Sequence, residues 1–329
     1  MEQRRLGSTG LMVPRVALGC GNFGGIGSDP RFFGQGEDDD AAFALMDAAY
    51  ERGITLFDTA DAYGGGRSES SIGRWLTQRG SAVRDQVLLS TKAFNPVGPG
   101  PNDRGLSRRH LIRQVEASLT RLGAERLDLF LIHEPDPATP LEETLEALTD
   151  LRRAGKLHYI GASNIEAWRL CRALWVADRG GLASFGWVQS SYSLLDRSAE
   201  SEVLPLCADQ GLAFTPFSPL AGGWLTGKYR RGAPAPAGSR MTLRPEPYAH
   251  LDRESTWRGL AALEAAAAER GVSMAGLALA WTIEHPSIPF AVVGPRRPEH
   301  LTPVDEALGI SLDAAERVSL AATFDPEVR

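Results

Sequence analysis

Eight short apolar segments recur along this 329-residue chain, and amphipathic stretches such as residues 111–122 and 141–151 separate them. In order, these strand candidates are VALG, TLFDTA, VLLSTK, LDLFLIH, YIGASN, WVQSSYS, AFTPFSP and FAVVG. Strands that alternate with helices pair in parallel, and eight such units close into a barrel. A hairpin over the turn GSTG precedes the first strand. We therefore predict one α/β domain over residues 1–329, a (β/α)8 TIM barrel with an N-terminal β-hairpin.

Charge and cysteine usage limit the partners and the compartment of the chain. The formal net charge of -6 gives no general attraction to nucleic acid or to an anionic membrane, so the expected partners are small molecules. Three scattered cysteines, Cys20, Cys171 and Cys207, are too few for a disulfide framework or a thiolate metal site. The N-terminus lacks the apolar core of a signal peptide, and no stretch approaches the ~20 apolar residues that span a bilayer. We expect a cytoplasmic protein without a metal, and no pattern specifies its oligomeric state.

Four polar residues lie at or just past the ends of successive apolar runs. Asp58 and Tyr63 follow TLF, Lys92 follows VLLST, and His133 follows LDLFLI. The C-terminal ends of parallel barrel strands meet on one face, so these side chains are expected to converge. A carboxylate holds an ammonium in place, and an ammonium beside a phenol lowers the phenol pKa. Tyrosine, lysine and histidine around a carbonyl indicate a reduction.

Each of these residues also has an ordinary structural interpretation. An aspartate at a strand end is often a helix cap, and a tyrosine before three glycines is often a packing aromatic. A histidine on an apolar strand is usually a core residue, and a lysine there can extend to solvent or form a Schiff base. Their joint occurrence at equivalent strand ends is what favours catalysis.

The segment GCGNFG, residues 19–24, matches the dinucleotide-binding pattern G-x-G-x-x-G after a strand. That pattern needs a helix at its third glycine, and the following GGIGSDP cannot begin one. We reject a Rossmann domain and interpret the segment as a flexible loop at the barrel mouth, with Asn22 and Phe23 facing the site. Residues 24–40 and 229–253 interrupt the repeating pattern and are expected to be functional loops on the same face.

Six segments carry a resemblance that covers nearly the whole chain. FDTADAYG, STK, LIH, YIGASN, YSLLDR and FSPLAGGWLTGKY resemble, in order, the barrel-strand signatures of the aldo-keto reductase superfamily. The resemblance implies that NADP(H) binds in an extended form across the C-terminal face and that the chain reduces an aldehyde or ketone to an alcohol, or catalyses the reverse oxidation. It also implies that Tyr63 is the general acid, that Lys92 and Asp58 lower its pKa, and that His133 orients the carbonyl.

The resemblance further assigns cofactor contacts. Ser163, Asn164 and Gln189 would hold the nicotinamide carboxamide, and Phe217 would stack on the ring. Arg296 would meet the 2′-phosphate at the last strand-to-helix junction. The other expected contacts are Asn22, Phe23, Asp58, Ser218, Pro219, Leu220, Gly222, Lys228, Arg240, Gly294 and His300. Arg230, Arg231 and Arg244 are expected to belong to a solvated basic loop.

Two departures from the family pattern concern specificity. The family commonly reads G-x-R-x-x-x-Q-x-x-E-N at the last junction, whereas GPRRPEHLTPV places His300, Pro303 and Val304 at its final polar positions, so the usual adenine contacts are missing. Residues 25–38 are an insertion. The expected walls of the substrate pocket are Phe23, Phe32, Phe33, Phe94 and Trp224. Two alternatives stay open: a cofactor-sensing regulatory subunit of a membrane channel, and a Schiff-base lyase using Lys92.

Overall fold

The computed structural model describes residues 1–324 and contains ten strands in that part of the chain. They are β1 (Gln3–Arg5), β2 (Met12–Pro14), β3 (Val16–Gly19), β4 (Leu56–Asp58), β5 (Leu88–Ala93), β6 (Leu127–Ile132), β7 (Leu157–Ser163), β8 (Trp187–Ser191), β9 (Ala213–Phe217) and β10 (Ala291–Val293). Strands β1 and β2 form an antiparallel hairpin, and β3 to β10 close into a barrel in chain order. The last five residues of the predicted domain lie outside the described residues.

The barrel confirms the predicted α/β architecture. All eight strand candidates form strands, and the eighth closes on the first through parallel pairing of β10 with β3. The strand predicted from YIGASN begins two residues earlier than Tyr159, because Leu157 pairs with Leu127 of β6. No dinucleotide-binding helix follows GCGNFG, in agreement with the prediction from the glycines and proline of GGIGSDP.

Helices cover the outside of the barrel between the strands. They are α1 (Asp39–Glu51), α2 (Arg67–Arg79), α3 (Ser81–Arg84), α4 (Arg108–Leu122), α5 (Leu141–Arg153), α6 (Ala167–Gly180), α7 (Val203–Asp209), α8 (Arg240–Leu243), α9 (Glu254–Glu269), α10 (Met274–Ile283), α11 (Thr302–Leu308) and α12 (Ala314–Ala322). Helix α4 begins three residues before the predicted start because the Ser107 side chain accepts a hydrogen bond from the His110 N–H and caps it.

The core has two layers that follow from the alternation of side chains along each strand. Phe130 and Ile132 of β6 point outward and join the large cluster beneath the helices. Leu129 and Leu131 point inward and form a second cluster inside the barrel. The N-terminal hairpin contributes fully buried Leu6 to that inner cluster, so it closes the N-terminal end of the barrel. The C-terminal end is left for the functional side chains.

Both predicted functional loops are structured. In residues 24–40, backbone hydrogen bonds join Gly24 N–H to the Glu37 carbonyl at 2.8 Å and Glu37 N–H to the Asn22 carbonyl at 2.9 Å. These bonds connect the two ends of the loop to each other. Residues 229–253, which we call the strap, contain α8 and a short 3-10 turn (Ala249–Leu251). Within residues 1–324, no helix combines the length and apolar character required to cross a membrane.

Candidate active site

Asp58 is the centre of a buried polar network at the C-terminal end of the barrel. It ends β4, and its neighbour across β5 is Ser90, which donates a hydrogen bond of 3.0 Å to Asp58 Oδ1. Lys92 Nζ donates to Asp58 Oδ2 at 2.5 Å and to the Thr59 carbonyl at 2.9 Å. The Lys92 and Asp58 side chains are only 1% and 6% exposed, so the ion pair is nearly free of solvent. Such a pair is held firmly because either charge alone would be costly to bury.

Tyr63 and His133 lie beside this ion pair. Tyr63 Oη is 3.4 Å from His133 Nε2, and the two rings meet edge to face with centroids 5.5 Å apart. Lys92 Nζ lies 5.3 Å from the centroid of the Tyr63 ring. The structure therefore brings together the four residues that the sequence placed at strand ends. A phenol, an imidazole and an ammonium can together polarise one oxygen atom and deliver a proton to it.

The ionisation of Tyr63 differs from the expectation. Burial raises the pKa of Tyr63, and the nearby Lys92 charge lowers it by less, so the phenol pKa lies above its usual 10.0. The predicted lowering is wrong because the desolvation of a buried phenolate outweighs one ammonium that Asp58 already pairs. Burial also lowers the pKa of Lys92, but Asp58 and Tyr63 outweigh it and the net pKa is raised. Both groups are protonated at neutral pH.

His133 is neutral, and its second nitrogen is held by a residue that sequence reasoning missed. Burial and the Lys92 charge lower the pKa of His133 to about 3. The Asn95 amide nitrogen lies 3.1 Å from His133 Nδ1 and 3.4 Å from the Ser28 hydroxyl. An amide nitrogen that donates to Nδ1 leaves the imidazole proton on Nε2, which faces Tyr63. A neutral imidazole in this tautomer can donate a hydrogen bond to an oxygen beside Tyr63.

The three residues expected at the carboxamide lie together on neighbouring strands. Ser163 ends β7 and pairs in register with Gln189 of β8. The Asn164 N–H donates to the Gln189 carbonyl at 3.1 Å, and the Asn164 side chain donates to the His133 carbonyl at 3.1 Å. The Gln189 side-chain amide donates to Asp58 Oδ1 at 3.1 Å. These polar groups therefore border the four-residue centre directly.

The segment after β9 has an unusual backbone. Among the described residues, the non-glycine residues with left-handed φ angles are Asn164, Ser218 and Ala221, and all lie at this end of the barrel. Gly222 follows with a φ of 63°, and a Cβ there would lie 2.6 Å from the ring of Tyr248 in the strap. Backbone strain of this kind concentrates at functional sites. Phe217, Ser218, Leu220 and Gly222 are half-buried, whereas Pro219 is buried.

The strap lies over this segment and is tied to the opposite wall. Tyr248 Oη lies 3.0 Å from the Ser218 hydroxyl. Arg240 donates to the Asn22 side-chain carbonyl at 3.1 Å, and Arg296 donates to the Gly238 carbonyl at 3.0 Å. The strap thus bridges the segment after β9, the first loop and the last junction.

The last junction differs from the expected one. After the exposed Gly294, the chain forms a 3-10 turn (Pro298–Leu301), and helix α11 begins only at Thr302. Arg296 therefore lies two residues before this turn, which continues directly into α11. The His300 side chain accepts a hydrogen bond of 3.2 Å from the Arg296 N–H, which occupies one of its ring nitrogens. Lys228 is exposed, and Arg240 and Arg296 are half-buried.

Two of the aromatic residues expected at the site are core residues. Phe23 has no exposed surface and belongs to the large hydrophobic cluster, so its ring does not face a ligand. Trp224 is 3% exposed and packs with ring centroids 5.2 Å from those of Tyr229 and Trp257. Burying a large ring is more favourable than leaving it at an open mouth, which explains both corrections. Phe32, Phe33 and Phe94 are half-buried.

Three further polar side chains at this end of the barrel could not be recognised from the sequence. Asn95 comes three residues after Lys92, and its position just past a strand end was the available signal. Glu37 belongs to no recognisable motif, because the run EDDD resembles the acidic start of a helix. Tyr248 lies in the strap, where nothing in the pattern marks it.

Sequence comparison with known proteins identifies the family of this chain. The sequence model of the Aldo/keto reductase family matches residues 15–322. The chain belongs to the aldo/keto reductase family. Its relatives include an uncharacterized oxidoreductase of Bacillus subtilis, 39% identical over 95% of this chain and 93% of that protein. Versiconal hemiacetal acetate reductase of Aspergillus parasiticus is 33% identical over 99% of this chain and 98% of that protein.

Another relative of this aldo/keto reductase carries a different kind of name. A probable voltage-gated potassium channel subunit beta of Arabidopsis thaliana is 34% identical over 99% of this chain and 99% of that protein. The family match and the relatives named as reductases identify the chain as an oxidoreductase of the carbonyl-reducing kind. The barrel face that carries Asp58, Tyr63, Lys92 and His133 is its candidate active site.

Proposed function

We propose that this aldo/keto reductase is an NADP(H)-dependent enzyme that reduces an aldehyde or ketone to an alcohol, with Tyr63 as the general acid. One observation carries the proposal: Tyr63 Oη lies 3.4 Å from His133 Nε2, beside the buried Lys92–Asp58 ion pair. This arrangement places two hydrogen-bond donors where a single carbonyl oxygen can meet both.

Each side chain has a role that follows from its ionisation. The raised pKa of Tyr63, caused by burial, keeps the phenol protonated and ready to donate to an oxygen that becomes negative. The neutral His133, with its proton on Nε2, donates a second hydrogen bond and orients the carbonyl. The Lys92 ammonium stabilises the phenolate that remains after proton transfer, and Asp58 keeps that ammonium in place.

The residues around the centre fit a nicotinamide cofactor. Ser163 and Gln189 offer a hydroxyl and an amide side by side, which suit the hydrogen bonds of a carboxamide. Phe217 ends β9 and leaves part of its surface uncovered. The two consecutive glycines after Ala221 have positive φ angles and no side chains, so the backbone can approach a pyrophosphate closely. When bound, the cofactor supplies the hydride.

The adenosine end is proposed to lie at the last junction beneath the strap. Lys228, Arg240 and Arg296 provide positive charge there. Although much of the Lys228 side chain is exposed, protein atoms around its ammonium lower its pKa by desolvation, and the two arginines add to the effect. Mutual repulsion among these cations is relieved when an anion binds. A 2′-phosphate is the anion that distinguishes NADP(H) from NAD(H), which supports the choice of cofactor.

The geometry weighs against a Schiff-base lyase. Lys92 Nζ donates to Asp58 and to the Thr59 carbonyl, and its raised pKa keeps it protonated and therefore a poor nucleophile. Borohydride trapping with a carbonyl substrate should give no covalent adduct at Lys92.

A regulatory role is the other alternative, since one relative is named as a channel subunit. The complete set of Asp58, Tyr63, Lys92 and His133 favours turnover. The test is a panel of aldehydes and ketones, including aromatic ones, monitored at the NADPH absorbance band. Turnover of some panel members supports the enzyme, whereas cofactor binding without turnover of any member would favour a cofactor-binding subunit.

A further inference from the structure

Glu37 is a buried carboxylate that faces the proposed adenosine end. Its side chain is 6% exposed, and its Oε1 accepts a hydrogen bond of 2.5 Å from Arg296 Nε. Its Oε2 is buried and has no hydrogen-bond partner among residues 1–324. A buried carboxylate oxygen without a donor is unfavourable, so this oxygen is suited to receive a donor from a ligand.

The helix that follows does not explain this carboxylate. The N-cap of α1 is Asp38, whose side chain accepts a hydrogen bond of 3.0 Å from the Ala41 N–H. Asp39 and Asp40 already provide negative charge in the first turn of α1. The Glu37 side chain instead reaches Arg296, which is 259 residues away in the sequence. Glu37 therefore contacts the arginine at the proposed adenosine end and does not cap α1.

Glu37 also interacts with more than one cation. Burial raises the pKa of Glu37, while Arg296 and Arg240 act in the opposite direction. Arg296 is further fixed by its hydrogen bond to the Gly238 carbonyl of the strap. The carboxylate thus offsets part of the positive charge that would attract a phosphate at this junction.

We infer that Glu37 is a specificity-determining residue that weakens the preference of the site for a cofactor with a 2′-phosphate. The inference rests on the proposed function, in which Arg296 meets the adenosine end of the cofactor. A guanidinium paired with a carboxylate attracts a phosphate dianion less than a free guanidinium, and the carboxylate itself repels the phosphate. A 2′-hydroxyl can instead donate to Glu37 Oε2, which is the chemistry by which acidic residues select the unphosphorylated dinucleotide in other folds.

The test compares the dissociation constants of NADPH and NADH for the wild-type protein and for Glu37→Gln. The variant should bind NADPH about tenfold more tightly, with NADH nearly unchanged, because one opposing charge is removed. Glu254→Gln is the matched control, since its carboxylate pairs with Arg231 on the exposed strap side and its loss should alter neither constant. Weaker NADPH binding by Glu37→Gln would overturn the inference, because Glu37 would then position Arg296 for the phosphate.

A second variant and the cofactor preference of the wild-type protein provide two further tests of the inference. Glu37→Ala removes the same charge without adding an amide, and it should shift the NADPH-to-NADH ratio in the same direction; circular dichroism verifies the fold of both variants. In the wild-type protein NADPH should bind more tightly than NADH, but by less than about tenfold, and a larger preference overturns the inference whatever the variants do. An unaltered ratio in folded variants overturns this inference alone. Failure of the wild-type protein to bind either cofactor overturns the proposed function and this inference with it.

Discussion

The amide nitrogen of Asn95 lies 3.1 Å from Nδ1 of His133. This contact decides which imidazole nitrogen carries the proton, since a donor at Nδ1 leaves the hydrogen on Nε2, the atom beside Tyr63. Asn95 is therefore a positioning residue that acts through His133.

Replacing Asn95 by aspartate should reverse the tautomer. A carboxylate accepts a hydrogen bond from Nδ1–H, so Nε2 loses its proton and cannot donate to a carbonyl; kcat should fall by about a hundredfold. The new negative charge should also raise the pKa of His133 from about 3, so that kcat of the variant rises as pH falls through the raised pKa and Nε2 regains a proton. The measurement is kcat against pH for both proteins. An unchanged profile in Asn95→Asp would remove Asn95 from this role.

Replacing Lys92 by methionine should abolish reduction and destabilise the fold. The variant leaves the Asp58 carboxylate buried without its cation, which costs about 3–5 kcal/mol of unfolding free energy. The double variant Asp58→Asn/Lys92→Met should regain much of that stability and none of the activity. Urea unfolding and turnover measured on the same samples separate the two effects. Activity restored in the double variant would show that the ammonium is dispensable.

The stability of the fold should depend on the ionisation of Asp61. Burial raises the pKa of Asp61 well above 3.8, the nearby Glu69 adds to this, and neither carboxylate oxygen of Asp61 has a side-chain hydrogen bond among the described residues. The unfolded chain releases this proton at lower pH than the folded protein, so unfolding free energy decreases as pH rises from about 3.8 toward the raised pKa.

Asp61→Asn removes that ionisation and should therefore gain stability relative to the wild type as pH rises. The gain should reach about 1–3 kcal/mol at neutral pH, the cost of burying one unsatisfied polar group. The control is Asp40→Asn, an exposed aspartate of α1. Chemical unfolding at several pH values tests this, and parallel curves for wild type and Asp61→Asn would refute it.

NADPH should bind more tightly than NADH, and salt should reduce the difference. A charge-assisted contact contributes about 1.5–3 kcal/mol and is screened by ions, whereas a hydroxyl contact is less sensitive to salt. The Glu37 carboxylate offsets part of that contribution, so the NADPH advantage should stay below about tenfold. Arg296→Ala should remove most of the NADPH advantage. The exposed neighbour Arg297, replaced by alanine, controls for loss of one positive charge. Calorimetric titration of both cofactors at two salt concentrations is the measurement, and equal binding by the unmodified protein excludes a 2′-phosphate site at Arg296.

The barrel could be predicted because its signals are local. Apolar runs and their spacing located every barrel strand, and the strand-end positions of Lys92 and His133 implied that they converge. Burial and long-range pairing are not local. The raised pKa of Tyr63 depends on how deeply the ring is packed, and the contact between Glu37 and Arg296 joins opposite ends of the chain. The burial of Phe23 was missed for the same reason, since it depends on packing against core residues distant in the sequence.

The most direct test of the proposed mechanism is a single turnover that follows the hydride and the proton donor together. Wild-type protein is mixed with NADPH deuterated at nicotinamide C4 and with a carbonyl compound that it reduces, and the alcohol is analysed for deuterium on the former carbonyl carbon. Tyr63→Phe is treated identically, with cofactor affinity measured separately. We expect deuterium transfer by the wild type, and transfer slowed by at least about a hundredfold in Tyr63→Phe with its NADPH affinity unchanged. Transfer at the wild-type rate in Tyr63→Phe would contradict the assignment of Tyr63 as the acid.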